Sequence, residues 1–470
     1  MPTEPDGRRA PNTFEALLPF VVMAVLLGVG YGIYRLRIEV LLLVASAVAG
    51  LVAHRLGYGW PELQDGIIEG IAKALPAALI LVSVGALIST WIAAGTIPLL
   101  LRWGLQTITP RFFLATACVL CSLVSLFTGT SWGTVGTIGI ALMGVAAGLG
   151  VPPGAAAGAV VAGAYFGDKL SPFSDTTNLA PVAAGSNLFD HIRHMLWTTA
   201  PAWSLGLLVY LIVGARSQPA AAPERVQAIL DTLAGAFVMS PWVLLPLPVV
   251  LYFAIRKRPT IPGILLASAI AAAIAVLFQG ESLQAVSEAA VTGYVAHTGD
   301  PAVDNLLSRG GMGPMMEVTL IVFAAFSFAG IVNRAGFLDV ALGLLLRAAR
   351  TTGSLVATTV GSTVFTALIT GSSYLTILLP GELFAPAYRQ RELAAKNLSR
   401  TLEDSGTVVV PLIPWSAAGV FMAATLDVST LSYLPWAVMN YTGFLFAVVY
   451  GFTGIGVARR VREDETLPGS

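Results

Sequence analysis

The chain has 470 residues, no net formal charge and 56% hydrophobic residues, with a mean hydropathy of +0.79. Only 11% of its residues are charged, against about a quarter in soluble domains. These values exclude a soluble enzyme on a single anchor and give no electrostatic basis for binding nucleic acid. They specify a polytopic membrane protein, and the helix-length apolar runs that follow make it all-α.

Residues 1–13 are polar and lead into an apolar span at 17–34, so no cleavable signal peptide is expected. A second span covers 39–54. Trp60-Pro61-Glu62 opens a helix that runs through Glu69 and Lys73 into a third span at 76–94. Residues 95–106 are too short to cross and are expected to lie laterally. Two apolar arms, 112–127 and 132–149, flank the polar tip Thr128-Gly129-Thr130-Ser131. A helix opened by Pro152 and Pro153 reaches Tyr165 and breaks through 171–181, and a span at 196–213 follows. This first unit is read as 14–214, with a polar linker at 215–235 that includes Pro219 and Pro223.

The pattern restarts within 236–458. Paired spans at 237–255 and 261–278 are joined by Arg256-Lys257-Arg258. A polar stretch at 280–313 precedes a span at 315–333 and a short lateral segment at 338–349. Arms at 355–368 and 374–388 surround Thr370-Gly371-Ser372-Ser373. A helix from about residue 393 breaks near 403–406 and 411–414, and 435–449 is the last span. The two tips lie 242 residues apart, and the glycines that precede the lateral segments, Gly95 and Gly336, lie 241 apart. Ser174-Asp175-Thr176 is matched to Glu403-Asp404-Ser405, at an offset of 229.

Each unit is thus expected to hold three spans, a re-entrant helical hairpin, a broken helix and a final span. The number of crossings per unit is odd whether the arms return or cross, so the two repeats have inverted topology. Arms of 16–18 residues reach roughly 25 Å, which is marginal for a bilayer core of about 30 Å and favours hairpins. Of the 26 Lys and Arg residues, eighteen fall on the side of the N-terminus, seven on the other, and Lys169 lies in the membrane. This bias predicts cytoplasmic N- and C-termini in the cytoplasmic (inner) membrane.

Polar groups at membrane depth mark substrate or ion pathways, and paired broken segments in corresponding positions point to a transporter site. Asp168, Asp175 and Asp404 are intramembrane carboxylates, with Glu403 nearer the basic end of its helix. A buried carboxylate holds either a proton or a cation, and that competition yields exchange. Asp175 is favoured, because Ser174, Thr176, Thr177 and Asn178 surround it in the break. Thr128, Thr130, Ser131 and Thr134 supply oxygens at the first tip; Thr370, Ser372 and Ser373 mirror them. Lys169 is read as an internal counter-charge or an ion-pair partner of Asp168. Glu317 and Glu382, near span ends, are expected on solvated faces. Cys118 and Cys121 are read as small apolar packing residues.

The Gly129-Thr130-Ser131-Trp132-Gly133-Thr134 tip, the Phe166–Pro181 run and Leu306-Leu307-Ser308-Arg309-Gly310-Gly311 resemble the signatures of NhaC-type Na+/H+ antiporters. The resemblance covers nearly the whole chain. It implies Na+ and H+ as transported ions, no cofactor, a scaffold with a two-hairpin transport unit, and a homodimer. It also leaves open Na+/H+-coupled exchange of small organic anions such as malate or lactate, or of amino acids. Three rivals are weaker. Gly129-Thr130-Ser131-Trp132-Gly133 fits a serine nucleophile pattern, but the histidines His54, His191, His194 and His297 lie in polar segments away from it. His191 and His194 form an H-x-x-H pair without further ligands, read as a solvated helix start. A channel would not need a titratable site between repeats.

Overall fold

The computed structural model describes residues 9–216 and 223–460. Described residues form helices, with a single isolated bridge between Leu393 and Arg459. Several begin where an apolar run meets a capping side chain. Asn12, for instance, forms a capping box with Glu15 ahead of α1, Thr13–Tyr31. There follow α2 (Ile38–Arg55), α3 (Trp60–Ala93), α4 (Thr96–Thr107), α5 (Pro110–Thr128), α6 (Ser131–Leu149), α7 (Pro153–Leu170), α8 (Asp175–Ala184) and α9 (Leu188–Arg216). Then come α10 (Pro223–Ala236), α11 (Pro241–Ile255), α12 (Thr260–Phe278), α13 (Leu283–Thr292), α14 (Pro301–Leu307), α15 (Met312–Arg334) and α16 (Phe337–Arg347). The last are α17 (Thr352–Thr370), α18 (Ser373–Gln390), α19 (Ala395–Leu412), α20 (Ala417–Leu426) and α21 (Val438–Thr453).

Among the described residues nine helices are long and apolar enough to cross a bilayer, and up to eleven if each of two bent pairs counts as one span. The chain is a multi-pass membrane protein. The short segments after Gly95 and Gly336 are helices of 12 and 11 residues, each entered through a left-handed glycine. Both candidate hairpins have two helices joined by two residues, Gly129-Thr130 and Gly371-Ser372.

Three readings change. The span expected at 237–255 is instead α11, which starts with a 3-10 turn at Pro241–Leu244 and is bent by 98° from α10. Pro241, Pro246 and Pro248 withhold N–H donors from a regular helix there. The segment at 215–235 is largely helical, because α10 occupies Pro223–Ala236 and buries Ile229 and Leu233; Pro219 lies outside the described residues. The third change is the register of the break. Ser174 caps α8 through the Thr177 N–H, and Ser416 caps α20 through the Gly419 N–H. These are 242 residues apart, as the tips are. Glu403 and Asp404 lie in a π-turn, Glu403–Thr407, before the second break, so they are not counterparts of Ser174 and Asp175.

Close helix packing rests on missing side chains. A Cβ on Gly70 would lie 2.2 Å from the Phe326 carbonyl oxygen, and one on Gly330 would lie 2.1 Å from that of Gly66. This locks α3 against α15 where lipid supplies no hydrophobic drive between helices. Likewise, Gly163 and Gly167 let α7 approach the Cys118 and Ser122 carbonyls of α5. Cys118 and Cys121 are buried, unbridged thiols in that contact.

Candidate functional site

The site is built by four helix starts. Thr130 caps α6 (Gly133 N–H, 3.2 Å), Ser174 caps α8 (Thr177 N–H, 3.4 Å), Ser372 caps α18 (Leu375 N–H, 3.5 Å) and Ser416 caps α20 (Gly419 N–H, 2.8 Å). Each of these hydroxyls satisfies one orphan donor at its helix start. The tips sit on the breaks. A Cβ on Gly129 would lie 2.6 Å from Phe173 Cβ, and the Ala417 N–H donates to the Gly371 carbonyl at 3.2 Å. Both glycines have positive φ, 69° and 61°, which is what lets the chain turn within two residues.

Between them lies a cavity of about 390 Å³. Thr130, Ser131 and Trp132 line it from the first tip, Asp168, Asp175 and Thr176 from the first break. Gly371, Ser372, Ser373 and Tyr374 come from the second tip, and Thr407, Ala417 and Ala418 from the second break. Lys73, Phe326 and Tyr165 also reach it.

Asp168 is buried (6% exposed), and its Oδ2 accepts the Ser131 hydroxyl at 2.7 Å. Its Oδ1 has no hydrogen-bond partner among the described residues. Asp175 is exposed at the rim, where the Tyr374 hydroxyl donates to it. Lys169 does not pair with Asp168. Its ammonium, 1% exposed, forms a buried ion pair with Asp404, which also accepts the Thr198 hydroxyl at 2.9 Å. Adjacent residues on a helix diverge by about 100°, so Asp168 faces the tip while Lys169 faces α19. Glu403, fully buried, accepts the Thr176 hydroxyl at 3.3 Å.

Several residues named from sequence are committed elsewhere. Thr177 donates to the Lys169 carbonyl (3.0 Å), and Asn178 donates to the Pro172 and Ser174 carbonyls (2.9 and 2.5 Å). Ser174, Thr177 and Asn178 therefore staple the break. Thr134 and Thr370 return their hydroxyls to carbonyls four residues back, and Thr128 lines a neighbouring cavity of about 290 Å³ with Lys257 and Arg258. Glu317 and Glu382 are exposed. The histidines correct an expectation. His191 and His194 are buried, and they bond to Ser399 at 2.9 Å and Asn397 at 3.1 Å. The polar faces of α9 and α19 meet there, although His191 Nε2 has no partner among the described residues.

Sequence reasoning missed Tyr374, Thr198, Thr407 and Lys73. Only Tyr374 carried a signal, since it occupies the second tip where Trp132 occupies the first; Trp132 stacks on Phe421 at 4.3 Å.

The sequence model of the Na+/H+ antiporter family matches residues 163–455. The chain belongs to that family. It is 45% identical to an uncharacterized Na+/H+ antiporter of Haemophilus influenzae over 96% of this chain and 98% of that one. It is 39% identical to the Na+/H+ antiporter NhaC of Alkalihalophilus pseudofirmus, with the same coverage. It is also 35% identical to the malate-2H+/Na+-lactate antiporter of Bacillus subtilis, over 95% and 96%. The matched family region takes in both breaks and the second tip, and the family is one of transporters.

Proposed function

We propose that the protein exchanges Na+ for protons by alternating access, with Asp168 as the carboxylate for which the two compete. The observation that carries this is the free Oδ1 of a buried aspartate in the cavity where both tips and both breaks meet. Ser131 orients that carboxylate, and Thr130, Thr176, Ser372, Ser373 and Thr407 line the same cavity, where their hydroxyls offer neutral oxygen ligands suited to a hard cation. Asp175, with Tyr374, guards the rim. Lys169, Asp404 and Glu403 form a polar core behind the site and hold the broken helices together. In proteoliposomes, Asp168→Asn abolishes Na+-driven proton movement, while Asp175→Asn reduces it; full coupled exchange by Asp168→Asn overturns the assignment. Competition also has a sign. Protonation removes the anionic ligand, so apparent Na+ affinity falls as pH falls, by roughly tenfold per unit below the carboxyl's pKa.

A second reading has its own observation. Four helix N-termini and Lys73 face the same cavity, and such termini attract anions. An organic carboxylate co-substrate fits there, in line with the malate and lactate named for one relative. Counterflow with labelled carboxylates decides it.

The equal spacing of tips and capped breaks supports an internal repeat, which is read as the inverted pair 14–214 and 236–458. The asymmetry of Lys and Arg supports cytoplasmic termini in the inner membrane. A homodimer and the absence of any cofactor complete the proposal.

A further inference from the structure

Where the first half has the continuous helix α3, the second half is interrupted between Thr292 and Met312. The interruption is tightly pinned. The Gly311 N–H donates to the Gly85 carbonyl at 2.7 Å, the Tyr294 N–H to the Arg309 carbonyl at 3.2 Å, and the Ala296 N–H to Ser308 Oγ at 3.0 Å. Gly310 has φ 87°, and a Cβ there would lie 2.7 Å from the Ser89 nitrogen of α3. A turn this constrained fixes the residue before it, Arg309.

Arg309 lines a cavity of about 420 Å³, distinct from the central one, with Ile88, Met315, Val318, Thr425 and Asp427. Its guanidinium is mostly buried, and Nε has no hydrogen-bond partner among the described residues. The same is true of the buried Thr425 hydroxyl. The nearest anion, Asp427, is 3.6 Å away and 73% exposed, too far to satisfy the fork by hydrogen bonding. A helix-capping arginine would bond the last carbonyls of α20, and no such bond forms among the described residues. The two buried groups without partners, Arg309 Nε and the Thr425 hydroxyl, cost stability unless something fills them.

We propose that this cavity binds a small organic carboxylate, with its carboxyl group on Arg309 and Thr425 and its hydrocarbon body against Ile88, Met315 and Val318. The planar guanidinium matches a carboxylate, and the apolar wall selects an organic anion over an inorganic one. The site stands at the far end of α20 from Ala417 and Ala418 of the central cavity, about 12 Å along the helix.

The test uses the full chain purified in detergent, with acetate, butyrate, succinate and chloride titrated at constant ionic strength and binding read by calorimetry and by the shift in melting temperature. Butyrate binds more tightly than acetate, and chloride gives no saturable signal. Arg309→Gln weakens butyrate at least tenfold, and Arg309→Lys, which keeps the charge but not the fork, weakens it less. Asp427→Asn, which removes the competing carboxylate, tightens it severalfold. Asp168→Asn leaves it unchanged, which separates this site from the central cavity. Equal binding by wild type and Arg309→Gln, no saturable butyrate binding by wild type, or loss of binding in Asp168→Asn overturns the proposal. Should Arg309→Gln fail to fold, Asp427→Asn decides: unchanged or weaker binding overturns it.

Discussion

At the residue scale, Asp168 and Lys169 show how little sequence adjacency says about partnership. One faces the tip serine Ser131 and the other crosses to Asp404 on α19. The Lys169–Asp404 pair is buried on both sides, at 1% and 0% exposure. Removing one member leaves an unpaired charge in a dry site, at a cost of about 3–5 kcal/mol, whereas replacing both by apolar residues is often neutral. Lys169→Ala therefore lowers the melting temperature sharply, and the Lys169→Met, Asp404→Leu double variant recovers most of the loss. If the double variant melts as low as the single one, the pair's role is not simple charge compensation. The four carboxylates were legible in the sequence as polar groups out of place. Their pairings were not, because Asp404 reaches Lys169 across 235 residues of chain.

At the scale of elements, the tips and breaks were the most readable features. Glycines, hydroxyls and prolines gathered between apolar runs mark places where a helix is interrupted at membrane depth. The prolines at 241, 246 and 248 were present in the same sequence, yet average hydropathy hid the bend they produce. The register of the second break is hidden in the sequence, because Glu403 and Asp404 carry charge whereas Ser416, which caps α20 as Ser174 caps α8, does not. Gly129→Ala forces a side chain into the left-handed region and against Phe173, with an expected loss of about 1–3 kcal/mol. Gly343→Ala, on an open helical face with nothing within 4 Å, is expected to stabilise by about 0.4–1 kcal/mol. Thermal melts of the two purified variants check both. Equal effects would mean that the tip turn tolerates a side chain.

For the whole molecule, α3 and α15 form the seam on which the rest is assembled. They touch backbone to backbone at Gly66, Gly70 and Gly330, and they bring Lys73 and Phe326 to the central cavity. Gly70→Val and Gly330→Val therefore separate the helices and displace the cavity's floor. Detergent extracts of either variant are expected to aggregate on size-exclusion chromatography, whereas Gly361→Val, with nothing within 4 Å, elutes as wild type. Monodisperse Gly70→Val protein would show that the α3–α15 contact does not depend on these glycines.

Hydropathy, the scarcity of charge and the doubled pattern of tips and short helices were enough to determine a helical membrane protein, where its chain is interrupted and which residue types gather there. These are local properties, set by how each segment partitions between water and lipid. Three matters waited for the tertiary structure: that Asp168 turns inward while Asp175 stays at the rim, that Lys169 neutralises Asp404, and that His191 and His194 are buried against α19. Each depends on which helix face meets which neighbour. That is fixed by close packing between segments hundreds of residues apart, and no local preference encodes it.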